Sequence, residues 1–341
     1  MRRNPSIETI CPQYDFIGHY SGTKKFQMSE DCLHLNVWIP NTLQYESDDK
    51  LPVIVFIHGG IFMLGSIYQD EFDGKILAAR SNSIVITINY RLGVLGFLSS
   101  VSNTRNTFDT TYIQNLGLHD QLLALKFIKE NILSFGGDPN RITVMGNSAG
   151  SMSVGSMIVS PYVREKAYFQ RAIMSSGSPL TVFAVEPLSS GLKKSQELSK
   201  LLGCDFNEYN LECLKNIPIE EILSVQTKMA GNFKFFVPTH GDIIFPESPL
   251  KLLNNFNINN ENENIKNSYF EKDIDLMFGG TLDEGTTLLE LLPHLQNTIN
   301  FESAHGYVKL LINLFNIQIT SEDILKEYLI DVNQFDSWGM T

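Results

Sequence analysis

The chain has 341 residues, 43% of them hydrophobic, and a formal net charge of −12 from 38 acidic and 26 basic side chains. That apolar content is ample for a large core, while no run approaches the roughly 18 consecutive apolar residues of a membrane span. The acidic balance argues against a nucleic-acid partner and leaves no basic patch for anionic membranes.

Taken in chain order, apolar β-prone runs predict strands near residues 33–39, 52–58, 83–90, 141–146, 171–175 and 274–280. Helical patterns are expected near 117–133, 148–160, 190–202, 209–216, 219–228, 285–293, 303–315 and 321–330. This alternation reads as one large α/β unit over residues 1–341. Leu51–Ile57 is a buried-strand run that ends in His58-Gly59-Gly60. A glycine pair there lets backbone N–H groups point into a cleft and hold a developing oxyanion. A plain strand-ending turn is the simpler alternative. Ile142–Met145 is a second such run, and it leads directly into Gly146-Asn-Ser-Ala-Gly150. Glycines two residues either side of Ser148 permit a sharp strand-to-helix turn. The hydroxyl is then exposed at the positive end of the following helix, the geometry of a nucleophile elbow. The Asn- and Glu-rich stretch Asn254–Asn267 reads as a surface loop. Four cysteines allow three pairings, or none if they stay reduced in a cytosolic protein.

Several segments, in order, resemble the type B carboxylesterase and cholinesterase family of α/β-hydrolases. They are Ser29–Asn36, His58-Gly-Gly-Ile-Phe62, Asn89–Phe97, Asn115–Gln121, Phe135–Pro139, Gly146–Gly150, Arg171–Ser178 and Asp283-Glu-Gly285. The resemblance implies an α/β-hydrolase fold, with a mostly parallel central sheet and helices on both faces. It implies Ser148 as nucleophile and the N–H groups of Gly60, Ile61 and Ala149 as the oxyanion hole. Glu284 becomes the acid that orients a catalytic histidine, and a carboxylate just past the strand-like Leu276–Gly280 suits that role. Alternatively, Glu284 is a carboxylate at a helix N-terminus. The resemblance and sequence proximity together favour Cys11–Cys32 and Cys204–Cys213 disulfides, hence a secreted or secretory-pathway protein. Arg91 and Asp120 are implied as a structural ion pair. No metal or organic cofactor is implied. The expected partner is a small-molecule carboxylic ester, and the oligomeric state is open.

The chain departs from the family at three points. Ile61 stands where glycine or alanine is usual, and a β-branched residue resists positive φ. Asn147 replaces a glutamate beside the nucleophile. The Cys11–Cys32 segment has no tryptophan to hold a quaternary ammonium. A neutral ester is therefore the expected substrate, with Phe62 and Phe183 lining its acyl side. The order in this fold is serine, acid, histidine. Only His294 and His305 follow Glu284, and both read as surface or helix-packing residues. The catalytic histidine is therefore expected beyond this chain, which reads as lacking its N- and C-terminal ends and as inactive alone. The competing expectation is an inactive cholinesterase-like adhesion or ligand-binding protein.

Overall fold

The computed structural model describes residues 9–13, 26–41, 50–102, 111–181, 183–204, 211–232, 234–258, 274–282, 284 and 320. The chain forms two compact units, Met1–Gly280 and Thr281–Thr341.

Six strands make the central sheet of the first unit: β1 (Leu35–Trp38), β2 (Leu51–Ile57), β3 (Ile84–Ile88), β4 (Gly137–Asn147), β5 (Arg171–Ser175) and β6 (Asp275–Gly279). Their spatial order is β6-β5-β4-β2-β3-β1. β1 pairs antiparallel with β3, and every other pairing in this sheet is parallel. Parallel strands covered on both faces need no alternation of apolar and polar residues, and all five residues of Ile84–Ile88 are buried, four of them apolar. Register places Val53, Val55 and Ile57 beside Ile84, Ile86 and Ile88, and Val53 and Val55 also beside Ile142 and Val144. These side chains form one buried row on a single face.

Nine helices are described: α1 (Lys75–Ser81), α2 (Gly93–Phe97), α3 (Leu116–Asn131), α4 (Ala149–Val159), α5 (Pro161–Lys166), α6 (Leu188–Leu201), α7 (Leu211–Lys215), α8 (Ile219–Ala230) and α9 (Pro249–Ile258). Leu118, Leu122, Leu125 and Ile128 of α3 join Met152 and Val154 of α4 in one cluster with the buried row. A Gln121 Nε2–Ser153 Oγ hydrogen bond of 3.2 Å ties the two helices together. Against the other face, Ala78 of α1 packs with Ile54, Val85 and Trp38. This is the expected α/β architecture, with helices on both faces of a mostly parallel sheet.

Each expected strand matches one of the central sheet to within a few residues, except that β4 starts at Gly137, whereas six described strands of two or three residues in separate two-stranded sheets were not expected. Part of the expected Asn254–Asn267 loop is helical, because α9 continues to Ile258. The helices expected at 285–293, 303–315 and 321–330 lie outside the described residues, as do His294 and His305. Cys11 is bonded to Cys32, and Cys204 to Cys213.

Candidate active site

The spatial order of the sheet reverses between β2 and β4. β3 follows β2 on one side, and β4 begins the series on the other. In an open α/β sheet the crevice outside the carboxyl ends of strands at such a switch point is where ligands bind. Here those ends are Ile57, leading to His58-Gly59-Gly60, and Asn147, leading to Ser148.

Ser148 has φ 53° and ψ −121°, far from the conformations an L-residue prefers. Such a residue costs about 1–3 kcal/mol and persists where its surroundings over-determine it. Those surroundings are visible. The Ser148 N–H donates to the Ser175 carbonyl at 2.9 Å, and its own carbonyl accepts from Met152 N–H at 2.9 Å. At Gly150 a Cβ would strike the Ile57 carbonyl oxygen, and at Gly146 it would strike the Gly150 carbonyl. The glycines flanking the serine therefore let β4 turn into α4 flush against β2. The hydroxyl is half-buried, and no described hydrogen bond uses Ser148 Oγ.

The loop after β2 lies against this elbow: a Cβ on Gly59 would sit 3.1 Å from Ser148 Cβ. The loop then coils sharply, with φ of 112° at Gly60, 57° at Ile61 and 60° at Phe62. Met63 and Leu64 N–H both donate to the Gly60 carbonyl at 2.9 Å. Among the described turn and loop hydrogen bonds, none consumes the N–H of Gly60, Ile61 or Ala149. Ala149 opens α4, so its N–H is one of the donors left free at a helix N-terminus, on the positive side of the helix dipole. Backbone donors beside a serine hydroxyl can hold a developing alkoxide.

Phe62 is fully buried, edge-on to Phe97 with ring centroids 5.1 Å apart, and Phe183 is half-buried against the main core. Glu284 lies in the second unit, where its Oε1 accepts from Thr281 N–H at 2.8 Å. Arg91 and Asp120 form a two-pronged pair, Nε to Oδ2 and Nη2 to Oδ1, each at 2.7 Å. The Asp120 side chain is 4% exposed and that of Arg91 34%, so the carboxylate is buried and the guanidinium reaches solvent. Asp120 raises the guanidinium's pKa, chiefly through their hydrogen bond.

The sequence of Ser148 and its glycines invites comparison with esterases. The Carboxylesterase family model matches residues 6–337. The chain belongs to the carboxylesterase family. Among its carboxylesterase relatives, the para-nitrobenzyl esterase of Bacillus subtilis is 39% identical over 251 residues, covering 72% of this chain and 48% of that protein. The acetylcholinesterase of Danio rerio is 36% identical over 289 residues, covering 83% of this chain and 42% of that one. A solved thermophilic PNB esterase superposes with a TM-score of 0.70 at 32% identity, over 89% of this chain and 57% of that one. The α/β-hydrolase fold follows, and the chain spans about half the length of the carboxylesterases it matches.

Three residues at the site were not singled out by sequence reasoning. His58 is fully buried, and its Nδ1 lies 2.8 Å from the Gly59 carbonyl oxygen. Burial lowers its pKa from 6.5 to about 4, partly offset by that hydrogen bond. Tyr90 stacks on the imidazole with centroids 4.6 Å apart, and its hydroxyl donates to the His58 carbonyl at 3.0 Å. Gln13 pairs through both ends of its amide with the Gly65 backbone. The signal for His58 was a polar side chain closing an otherwise apolar strand. For Gln13 nothing in the local sequence marks a contact 52 residues away.

Proposed function

We propose that the chain carries the nucleophile and oxyanion hole of a serine carboxylic ester hydrolase. The observation that carries this reading is Ser148, held at φ 53° and ψ −121° on the elbow at the sheet's switch point. Ser148 Oγ attacks the ester carbonyl carbon while a histidine takes its proton, and Glu284 orients that histidine. The N–H groups of Gly60, Ile61 and Ala149 hold the resulting alkoxide. Its collapse expels the alcohol, which takes the proton from the histidine. Water then adds to the acyl-serine, and the carboxylic acid departs as Ser148 regains its proton. Each oxyanion donor contributes roughly 2.7–4 kcal/mol in such reactions. The substrate is a neutral ester, its acyl group on the side of Phe62 and Phe183. Two disulfides support residence in the secretory pathway.

Ile61 favours a second reading. A β-branched side chain at φ 57° in the oxyanion loop suits a protein that keeps the fold and binds without turning over. A fluorophosphonate probe and para-nitrophenyl and para-nitrobenzyl esters separate the two. With the catalytic histidine present, labelling and hydrolysis that vanish in Ser148→Ala are the expected result. A folded protein that is not labelled would leave the binding reading standing.

A further inference from the structure

The Gly59 carbonyl and the Gly60 N–H belong to one planar trans peptide unit, so they point in opposite directions. Whatever grips the carbonyl also aims the N–H. The grip comes from His58, whose Nδ1 is 2.8 Å from Gly59 O. A carbonyl oxygen only accepts, so Nδ1 carries the proton and Nε2 is left bare. Nε2 is buried without a hydrogen-bond partner among the described residues, so the imidazole's polar contact is the one at Nδ1.

The ring has little freedom to turn away. Tyr90 stacks on it and holds the His58 carbonyl. On another side lies Gly65, where a Cβ would collide with Nδ1 and come within 2.7 Å of Gly59 O. Gly65 is itself clamped: Gln13 Nε2 donates to its carbonyl at 2.9 Å, and its N–H donates to Gln13 Oε1 at 2.8 Å. Gln13 Nε2 also donates to the carbonyl of Cys11, half of the Cys11–Cys32 bridge, at 3.1 Å. A continuous chain of contacts thus runs from the disulfide through Gln13 and Gly65 to the peptide beside Ser148.

We propose that His58, backed by Gln13 through Gly65, is the positioning residue of the oxyanion hole, its Nδ1–H fixing the Gly59–Gly60 peptide so that the Gly60 N–H faces the acyl oxygen. A hydrogen bond to the carbonyl of a peptide also polarises its N–H, which makes Gly60 a stronger donor. This inference rests on the reading of Ser148 as nucleophile.

The test uses the protein with its catalytic histidine present and compares His58→Leu, which removes the donor, with His58→Asn, whose amide N–H can take the place of Nδ1–H. With active sites counted by fluorophosphonate, His58→Leu should lower kcat for a para-nitrophenyl ester about 10–100-fold with KM within twofold, since a donor removed outright costs 10²–10³. His58→Asn should recover most of that loss. A general packing defect would instead affect both variants alike and reduce the number of active sites. Equal impairment of the two, or an unchanged kcat in His58→Leu, overturns the proposal. If His58→Leu does not fold, Gln13→Leu replaces it, with a severalfold fall in kcat expected and no fall overturning the idea.

Turnover or fluorophosphonate labelling that survives in Ser148→Ala defeats the nucleophile reading instead. Nuclear magnetic resonance then decides the positioning claim alone. Protonated Nδ1, bare Nε2 and a Gly60 amide resonance displaced in His58→Leu but restored in His58→Asn support it; any other pattern overturns it.

Discussion

Ile61 holds φ 57°, where an L side chain crowds its own backbone at a cost of about 1–2 kcal/mol. Replacing it by glycine removes that strain and adds about 0.4–1 kcal/mol of unfolded-state entropy to be lost on folding. Ile61→Gly is therefore expected to unfold at the same urea concentration as the wild type or a higher one. A loss of about 2 kcal/mol or more would mean that the packing of the half-buried side chain outweighs the strain. His58 sets a pH dependence. The folded protein keeps it neutral down to a pH of about 4, whereas the unfolded chain takes up a proton below 6.5. Unfolding thus binds a proton between those values, so stability is full above pH 6.5 and falls toward pH 4 by roughly 3 kcal/mol. Urea unfolding at pH 7 and pH 4.5 should show this slope in the wild type and a flatter one in His58→Asn. Equal slopes would show that other groups govern the acid limb.

At the scale of elements, the Arg91–Asp120 pair joins the segment after β3 to α3. Asp120 Oδ2 also accepts the Arg91 backbone N–H at 3.0 Å, so three donors converge on one carboxylate. Asp120→Asn leaves the shape and removes the charge. With the guanidinium partly hydrated, the expected cost is about 2–4 kcal/mol, toward the lower side of a fully buried pair. Thermal unfolding would measure it, and a change under 1 kcal/mol would place the pair among ordinary surface bridges. The sheet was legible in sequence because its strands are apolar, β-prone runs such as Leu51–Ile57 and Ile84–Ile88, the second buried along its whole length. Ser148 was legible because the elbow needs its two glycines. The short helices were not. α2 has five residues, two of them glycine, and α1 buries only Ala78, so neither displays a helical period. α9 ends in Asn-Asn-Phe-Asn-Ile, a composition that speaks for a loop. Gln13 and His58 escaped notice because their partners are set by tertiary placement.

Across the whole molecule, the two disulfides differ in what they hold. The loops they close, with separations of 21 and 9 residues, imply about 3 and 2.5 kcal/mol of stabilisation by restricting the unfolded chain. Replacing either pair with serines should therefore cost similar stability. Only the Cys11–Cys32 pair abuts Gln13 and, through it, the loop beside Ser148. Its removal is expected to slow fluorophosphonate labelling in conditions where both variants remain folded, while loss of Cys204–Cys213 leaves the rate unchanged. Equal rates in the two variants would separate the bridge from the site. Among the described residues no helix is long and apolar enough to cross a membrane. The helix that follows Ser148 has a different kind of isolation. All eleven residues of α4 are buried, whereas α6 buries four of its fourteen. A helix with no outward side has nowhere for neutral change to accumulate, so substitutions along α4 should be costly where those on the outer face of α6 are tolerated, and the sequence next to Ser148 has the least room to drift.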